Sequence, residues 1–313
     1  MPKIATLLLA ALGCVAIATA TASPEQMIAS GSIDQVIRSL SASKDAASLN
    51  MLSRAYYAIE HWDDSVTNGE KAVALSPNNA TYHWWLGREY GEKAASVNPL
   101  SAASLARKTK SEFELAVKLE PSNPQMHADL AEYYTDAPSI MGGGFDKARD
   151  QATRVAQYDQ ATSHWILAMV AEKEKRYPDA ESELQKAIQV AKDPSRYWMS
   201  LASFYRRRSR LDEMQKTIAQ AIAQPNKSAE VYYNAASEVF QSGKDLPSAV
   251  QYLKNYLDSG AMVEDAPAFR AHYLLGQVYE KIGKKSDAVA EYKASLGLAS
   301  GFAPASKALG RIQ

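Results

Sequence analysis

Apolar residues recur along this chain with a long and fixed period. Leu52 and Leu86 lie 34 residues apart, and two further steps of 34 residues lead from Leu167 to Leu201 and on to Ala235. Within several units a leucine is followed four positions later by a tyrosine, which gives one helix an apolar stripe between charged positions. A period of this length predicts an array of helix–turn–helix units, in which each unit covers the apolar face of the next.

Short motifs repeat at equivalent places in these units. Leu86-Gly87 precedes Tyr90, and Leu201-Ala202 precedes Tyr205 at the same spacing. The pattern resembles that of the tetratricopeptide repeat family. The resemblance implies an all-α, right-handed superhelical solenoid of antiparallel helix pairs. It also implies about seven repeats, at 46–79, 80–123, 124–160, 161–194, 195–228, 229–268 and 269–302.

The two ends and two of the repeats depart from the regular unit. Residues 23–45 are predicted to form an N-terminal half-repeat, and residues 303–313 a C-terminal capping helix. The second repeat is longer by an insertion at 92–101, where Asn98-Pro99 should break the first helix and Ser101 should cap the second. The third repeat carries an atypical loop at 137–144.

In the family that this chain resembles, the first helices of successive repeats line a concave groove. That resemblance places large side chains of this chain in the groove, and aromatic and arginine residues contribute most of the energy of protein interfaces. The predicted partner is a protein or peptide. The predicted partner-binding residues are Arg54, Trp84, Arg88, Trp165, Tyr233 and Tyr273.

Other classes of function stay open at this point. A small molecule or glycan could stack on Trp84, Trp165 and Tyr233 in the same groove. Some co-chaperones of the family clamp a C-terminal carboxylate with lysine and asparagine at fixed groove positions, but no repeat here has that pair. Common hydrolase, zinc-protease and dinucleotide motifs are absent from the sequence, so we predict a non-enzymatic protein without cofactors.

The atypical loop ends in Gly142, Gly143 and Gly144. Glycine-rich loops before helices can bind anions through their backbone N–H groups. The lysine and hydroxyl residue that complete a phosphate loop are missing, because Phe145-Asp146-Lys147 follows. The sequence favours a turn between helices, and this turn is also a candidate for a dedicated partner contact.

Four of the five histidines occupy the same position in their repeats. The family prefers a large planar residue there, so we expect these histidines to pack between helices. Equivalent positions of successive hairpins are at least about 8–10 Å apart, which is too far for a shared zinc ion. The four are His83, His127, His164 and His272.

The charge of the chain is balanced, with 35 Lys plus Arg against 35 Asp plus Glu. This balance gives no indication of a nucleic-acid partner or of an anionic membrane surface as partner. Arg206-Arg207-Arg208 with Arg210 is the densest charge run. We interpret it as the solvated end of a helix, with anion binding as the alternative.

The first 22 residues have the features of an export signal. Lys3 precedes an apolar run, and Ala20-Thr21-Ala22 fits a cleavage site near Ala22. We expect export to the periplasm or cell envelope of a bacterium. Contact with the membrane is expected only if the segment stays uncleaved as an anchor or if Cys14, the single cysteine, is lipidated.

Overall fold

Seventeen α-helices follow one another along residues 23–313, the part of the chain that the computed structural model describes. The predicted export signal lies outside these residues. From α3 to α16 the helices alternate as the first and second members of seven pairs, and α17 follows the last pair. The helices are α1 Pro24–Ala29, α2 Ile33–Leu40, α3 Ala46–Ala58, α4 Trp62–Leu75, α5 Ala80–Ser96, α6 Pro99–Leu119, α7 Pro124–Asp136, α8 Phe145–Val155, α9 Gln160–Lys173, α10 Tyr177–Val190, α11 Ser195–Arg207, α12 Leu211–Ala223, α13 Glu230–Ser242, α14 Leu246–Asp258, α15 Ala268–Lys281, α16 Lys285–Leu298 and α17 Ala303–Ile312.

This arrangement confirms the predicted all-α solenoid of antiparallel helix pairs. Within residues 23–313 the only extended pairing is an isolated bridge between Val263 and Ala266. No helix in the same range is both long and apolar enough to cross a bilayer.

Small residues let the two helices of a pair approach closely. A Cβ atom on Gly87 of α5 would lie 2.5 Å from the Phe113 ring of α6, and one on Gly276 of α15 would lie 2.5 Å from the Tyr292 ring of α16. The leucines that precede these glycines, Leu86 and Leu275, are buried. The repeated Leu-Gly motif therefore has a steric cause in helix packing.

A tyrosine hydroxyl links several neighbouring repeats. Tyr90 donates to Glu70 at 2.6 Å, and Tyr134 donates to Glu114 at 2.7 Å. Tyr205 donates to Glu181 at 2.7 Å in the same way. In each case the tyrosine is on a first helix and the glutamate is on the second helix of the preceding pair. The tyrosine of the sequence motif thus joins repeats as well as filling the core.

The four repeated histidines make polar bridges inside their own pairs. Nδ1 of His83 lies 2.5 Å from Glu112 and that of His127 lies 2.9 Å from Gln151. His164 and His272 contact Glu183 and Glu291 at 2.7 Å. These side chains therefore hydrogen-bond across the pair in addition to packing. Within residues 23–313 no three potential metal ligands come together.

The insertion in the second pair lengthens both of its helices. The N-cap of α6 is Asn98, whose side-chain Oδ1 accepts the N–H groups of Leu100 and Ser101 at 3.2 and 3.1 Å. The prediction of Ser101 as the cap is wrong, because Pro99 needs no N–H partner and starts the helix two residues earlier.

The first and last parts of the described chain pack against each other. Ile28, Ile33 and Met51 share one buried apolar cluster with Phe269 and Phe302. Polar contacts seal the junction: Arg270 Nη2 donates to the Ala58 carbonyl at 2.9 Å, and the Ser300 N–H donates to Asp34 at 3.2 Å. The superhelix therefore closes after one turn, with the N-terminal helices and first pair against the last pair and α17.

A buried carboxyl lies between α3, α4 and α5. Glu89 has no solvent exposure, and neither of its carboxyl oxygens has a hydrogen-bond partner among the described residues. Gly69 leaves room for it, since a Cβ atom there would lie 2.1 Å from Glu89 Oε2. Burial raises the pKa of Glu89 to about 8. The group is therefore mostly protonated at neutral pH.

Candidate functional site

The closed superhelix surrounds a central cavity of about 1250 Å³. Its walls come mainly from the first helices of six pairs, α3, α5, α7, α9, α11 and α13. The last pair contributes no lining residue, because the face of α15 toward the start of the chain packs in the closing junction. Ring closure thus limits the groove to the first six pairs.

Two tryptophans lie on the cavity wall with their indole N–H groups fixed. Trp84 Nε1 donates to Asp129 Oδ2 at 2.7 Å, and Trp165 Nε1 donates to Ser200 Oγ at 3.1 Å. A guanidinium lies over each ring: Arg88 at 5.1 Å from the Trp84 centroid and Arg196 at 4.6 Å from the Trp165 centroid. The aromatic surface of the cavity is therefore held rigidly by polar partners.

Carboxyl groups on α7 form an acidic strip along the cavity. Burial raises the pKa of Asp129, although Arg88 and Trp84 act against this effect. The surrounding protein and the neighbouring Asp129 and Asp136 raise the pKa of Glu132. Solvent in the cavity still reaches this side chain. Among the described residues Glu132 forms no ion pair within 4.0 Å. Burial likewise raises the pKa of Glu230 on the opposite side. These groups are short of positive partners and favour a cation or N–H donor nearby.

A tight turn before the last pair carries two acids, of which Asp265 lines the cavity. The Ala266 N–H donates to the Val263 carbonyl at 3.1 Å, which leaves Glu264 and Asp265 at the tip. The buried Tyr256 hydroxyl donates to the Ala266 carbonyl at 2.6 Å and accepts the Val263 N–H at 2.9 Å. We call Val263–Ala266 the acidic turn. Its backbone shape is fixed by a side chain of its own repeat.

The acidic turn reaches across the ring to the first two repeats. Glu264 accepts two hydrogen bonds from Arg54, one of them from Nε at 2.8 Å. Asp265 accepts one from Arg88 Nη2 at 2.8 Å. Both arginines are on first helices, α3 and α5, and both are largely buried at this contact. The turn therefore fixes the sixth repeat to the first and second.

The structure brings three of the six predicted partner-binding residues to the cavity. Trp84, Arg88 and Trp165 are lining residues. Arg54 is covered by the acidic turn, and Tyr233 packs against Tyr256 with ring centroids 5.6 Å apart.

The sixth predicted residue, Tyr273, lies in the closing junction, where its ring meets Phe302 edge-on at 5.3 Å. The aromatic trio considered for glycan stacking is not assembled either, because Tyr233 does not line the cavity.

The triglycine Gly142, Gly143 and Gly144 forms the turn between α7 and α8 and is also absent from the cavity wall. Its three N–H groups donate to the carbonyls of Ser139, Pro138 and Tyr134, so they are not available to an anion. A Cβ atom on Gly143 would lie 1.8 Å from the Ala137 carbonyl oxygen. These contacts give the glycines a steric role in the turn.

The arginine run is used within the fold. Arg206 pairs with Glu238 at 2.6 Å, Arg207 with Glu172 at 2.7 Å and Arg210 with Glu181 at 2.6 Å. The first two pairs connect α11 to α13 and α9, and the third connects the start of α12 to α10. Arg208 lines the cavity, lies over the Tyr177 ring at 4.3 Å and forms no ion pair within 4.0 Å among the described residues. Three of the four arginines are therefore neutralised within the fold, which disfavours the alternative of an anion-binding cluster.

The acidic turn and the acidic strip were not found from the sequence. One signal for the turn was present: the step from Ala235 to Leu275 is 40 residues, six more than the regular unit, and the extra residues include Glu264-Asp265. The strip leaves a weaker signal in Asp129, Glu132 and Asp136, which recur at helical spacing on one face of α7.

Comparison with known proteins is consistent with the repeat architecture. The family model described as "Tetratricopeptide repeat" matches residues 142–197 and 233–302. No curated protein matches the sequence.

Several solved structures are similar to the chain at low identity. One is a thermophilic TPR protein from Thermus thermophilus, at 19% identity and a TM-score of 0.46, over 62% of this chain and 99% of that one. A second is a tetratricopeptide repeat protein from Parabacteroides merdae, at 13% identity and a TM-score of 0.43, over 90% of this chain and 98% of that one. A third is the APC/C hetero-tetramer Cut9-Hcn1, at 13% identity and a TM-score of 0.43, over 85% of this chain and 48% of that one.

The matched segments carry helix pairs of the kind that the structure repeats seven times, and the second segment includes the close approach of Gly276 to the Tyr292 ring. These two segments of the chain are tetratricopeptide repeats.

Proposed function

We propose that this protein is a non-catalytic scaffold that binds a segment of a partner protein in the central cavity. Tetratricopeptide repeats generally mediate protein–protein interactions, and their fold is typically a non-catalytic scaffold. The observation that carries the proposal is the cavity itself, which combines about 1250 Å³ with rigid tryptophans and under-neutralised carboxyl groups. Pockets for drug-sized ligands measure about 300–1000 Å³, so the size favours a peptide.

The chemistry of the wall also suits a polypeptide. Backbone N–H groups or a basic side chain of the partner would meet the carboxyl groups of Asp129, Glu132 and Glu230. The pKa of each of these groups is raised because nearby positive charge does not compensate for burial. Apolar side chains would meet Met169, Met199 and the faces of the tryptophans. A partner segment with both kinds of group would satisfy the cavity better than a uniformly polar glycan.

We also propose that the protein acts in the cell envelope of a bacterium. The support for this is the composition of residues 1–22, with an apolar run and a small-residue cleavage pattern. A chain without cysteine after that segment would need no disulfides there, and the continuous buried clusters of the repeats supply its stability instead.

Site-specific photocrosslinking tests the binding proposal. The photoreactive residue p-benzoylphenylalanine replaces either Met169, which is partly exposed in the cavity, or Leu75, which is exposed at the end of a second helix. In cells that produce the chain naturally, we expect one discrete crosslinked protein from position 169 and none from position 75. Adding Glu132→Gln should weaken that crosslink without changing the fold.

Equal crosslinking from both positions, or none from position 169, would contradict binding in the cavity. Fractionation of the same cells tests location, since recovery of the chain in the cytoplasm alone would contradict the envelope proposal.

A further inference from the structure

The guanidinium groups of Arg54 and Arg88 both lie over one aromatic ring. The Cζ atom of Arg54 lies 4.8 Å from the Trp85 ring centroid, and that of Arg88 lies 4.3 Å from the same centroid. Tyr57 adds a second aromatic face beside Arg88, at 5.3 Å. Stacking uses the flat faces of the guanidinium groups and leaves their N–H edges free for hydrogen bonds. The two cations are therefore positioned by the first two repeats themselves.

The acidic turn shows which chemistry this arginine pair accepts. Glu264 binds Arg54 through both carboxylate oxygens, and the next residue, Asp265, binds Arg88. One pair of adjacent acidic residues thus satisfies two arginines on neighbouring repeats. Paired N–H groups of an arginine match a carboxylate in geometry as well as charge.

The contact can be released without unfolding the turn. The Tyr256 hydroxyl holds the backbone at Val263 and Ala266 independently of the arginines. The Asp265 side chain is 63% exposed, so solvent weakens its ion pair with Arg88, whereas the pair of Glu264 with Arg54 is largely buried and must also be broken on release. The only other acid within 4.0 Å of either arginine among the described residues is Glu25, which lies 3.9 Å from Arg54.

We propose that Arg54 and Arg88 form a recognition site for two adjacent acidic side chains of the partner protein, and that the acidic turn is an internal competitor for this site. The inference rests on the proposed function, because it names the chemistry of the segment that enters the cavity. Asp265 lines the cavity beside Arg88, so a bound segment could reach both arginines by displacing the turn. The partner that fits is a polypeptide with consecutive Glu or Asp residues.

The test uses the turn's own sequence as the probe. A fluorescent synthetic peptide, Ser-Gly-Ala-Met-Val-Glu-Asp-Ala-Pro, reproduces residues 259–267. A second peptide carries Gln-Asn in place of Glu-Asp. Fluorescence anisotropy measures the binding of both peptides to the full chain and to the double variant Glu264→Gln, Asp265→Asn. Circular dichroism checks that the variant is folded.

We expect the double variant to bind the acidic peptide at least about tenfold more tightly than the unchanged chain, because a tethered competitor acts at millimolar effective concentration. The amide peptide should bind neither protein, and adding Arg54→Gln and Arg88→Gln should abolish binding. Asp212→Asn is the matched control, since Asp212 pairs with Lys244 away from the cavity lining and its loss should change nothing.

The inference would be overturned if the double variant bound the two peptides equally well, or if it bound neither of them. Binding that survives loss of both arginines would overturn it as well. Either result would leave a crosslink at position 169 unaffected, so failure here is distinguishable from failure of the proposed function.

Discussion

Replacing the buried carboxyl of Glu89 with an amide should stabilise the protein at neutral pH. Burial raises the pKa of Glu89 to about 8, whereas the ordinary value of a glutamate is 4.5. As pH rises above 4.5, the unfolded chain therefore loses its proton while the folded chain keeps it. Stability contributed by this site is present in full at low pH and is lost between pH 4.5 and 8.

The size of the effect follows from the difference between the two pKa values. The interval of about 3.5 units corresponds to about 5 kcal/mol in total at 1.36 kcal/mol per unit, of which about 3 kcal/mol is already lost at pH 7. Glu89→Gln carries no such penalty. It should match the unchanged protein at pH 4 and exceed its free energy of unfolding by at most about 3 kcal/mol at pH 7.

Thermal and urea unfolding at a series of pH values measures the difference between the two proteins. Taking that difference removes the titration of all other groups. Glu70→Gln is the matched control, because hydrogen bonds from Tyr90 and Lys108 outweigh burial and lower the pKa of Glu70. Its stabilising effect is present above pH 4.5 and is lost as pH falls, so Glu70→Gln should destabilise at pH 7 only. A Glu89→Gln difference that stays constant from pH 4 to pH 8 would refute the reasoning.

Three further substitutions test the packing of the array. Gly143→Ala forces a clash with a backbone carbonyl and should lower the free energy of unfolding in urea by at least about 3 kcal/mol. The control Gly297→Ala, in open space on a helix, should be neutral or should stabilise the protein by up to about 1 kcal/mol. Equal effects of the two substitutions would contradict the steric role of Gly143. Tyr256→Phe removes both hydrogen bonds that hold the acidic turn. Hydrogen exchange of the backbone amides at residues 263–266 should therefore become faster, and the free energy of unfolding should fall by about 1–3 kcal/mol. Unchanged exchange would show that the hydroxyl is dispensable. Leu201→Asp places a charge at a position 4% exposed and should abolish the cooperative unfolding transition seen by circular dichroism, while Leu75→Asp, at 57% exposure, should shift it little.

The helix pairs could be predicted from the sequence because their causes are local. The 34-residue step, the glycine or alanine after a leucine, and the proline near a helix start each act within one unit and its neighbour. The 34-residue step predicted the array of helix pairs, and the resemblance to the tetratricopeptide repeat family implied the all-α solenoid. Ser101 was mistaken for the cap of α6 because both Asn98 and Ser101 fit the local pattern, and only the position of Pro99 in the first turn decides between them.

The site was harder to predict because its main contacts are distant in sequence. Arg54 and Glu264 are separated by 210 residues, and nothing near either of them marks the other as its partner. Position rules for a regular repeat predict Trp84 and Trp165 in the groove, and both residues line the cavity. They did not apply to Tyr273, because the closing junction occupies the face of the last repeat that a longer solenoid would leave open.

Closure of the superhelix also determines how many repeats the protein can have. An open solenoid can gain or lose a unit at modest cost, because each unit meets only its neighbours. Here an added pair would separate Ile28 and Ile33 from Phe269 and Phe302, and would move the acidic turn out of reach of both arginines. Repeat stability is usually described as a line of units in which each unit interacts only with its neighbours. In this array the first and last units are neighbours as well. Unfolding cannot begin by fraying of a terminal unit until the junction has opened, and duplication of a repeat, the usual route by which such arrays lengthen, would have to break the ring first.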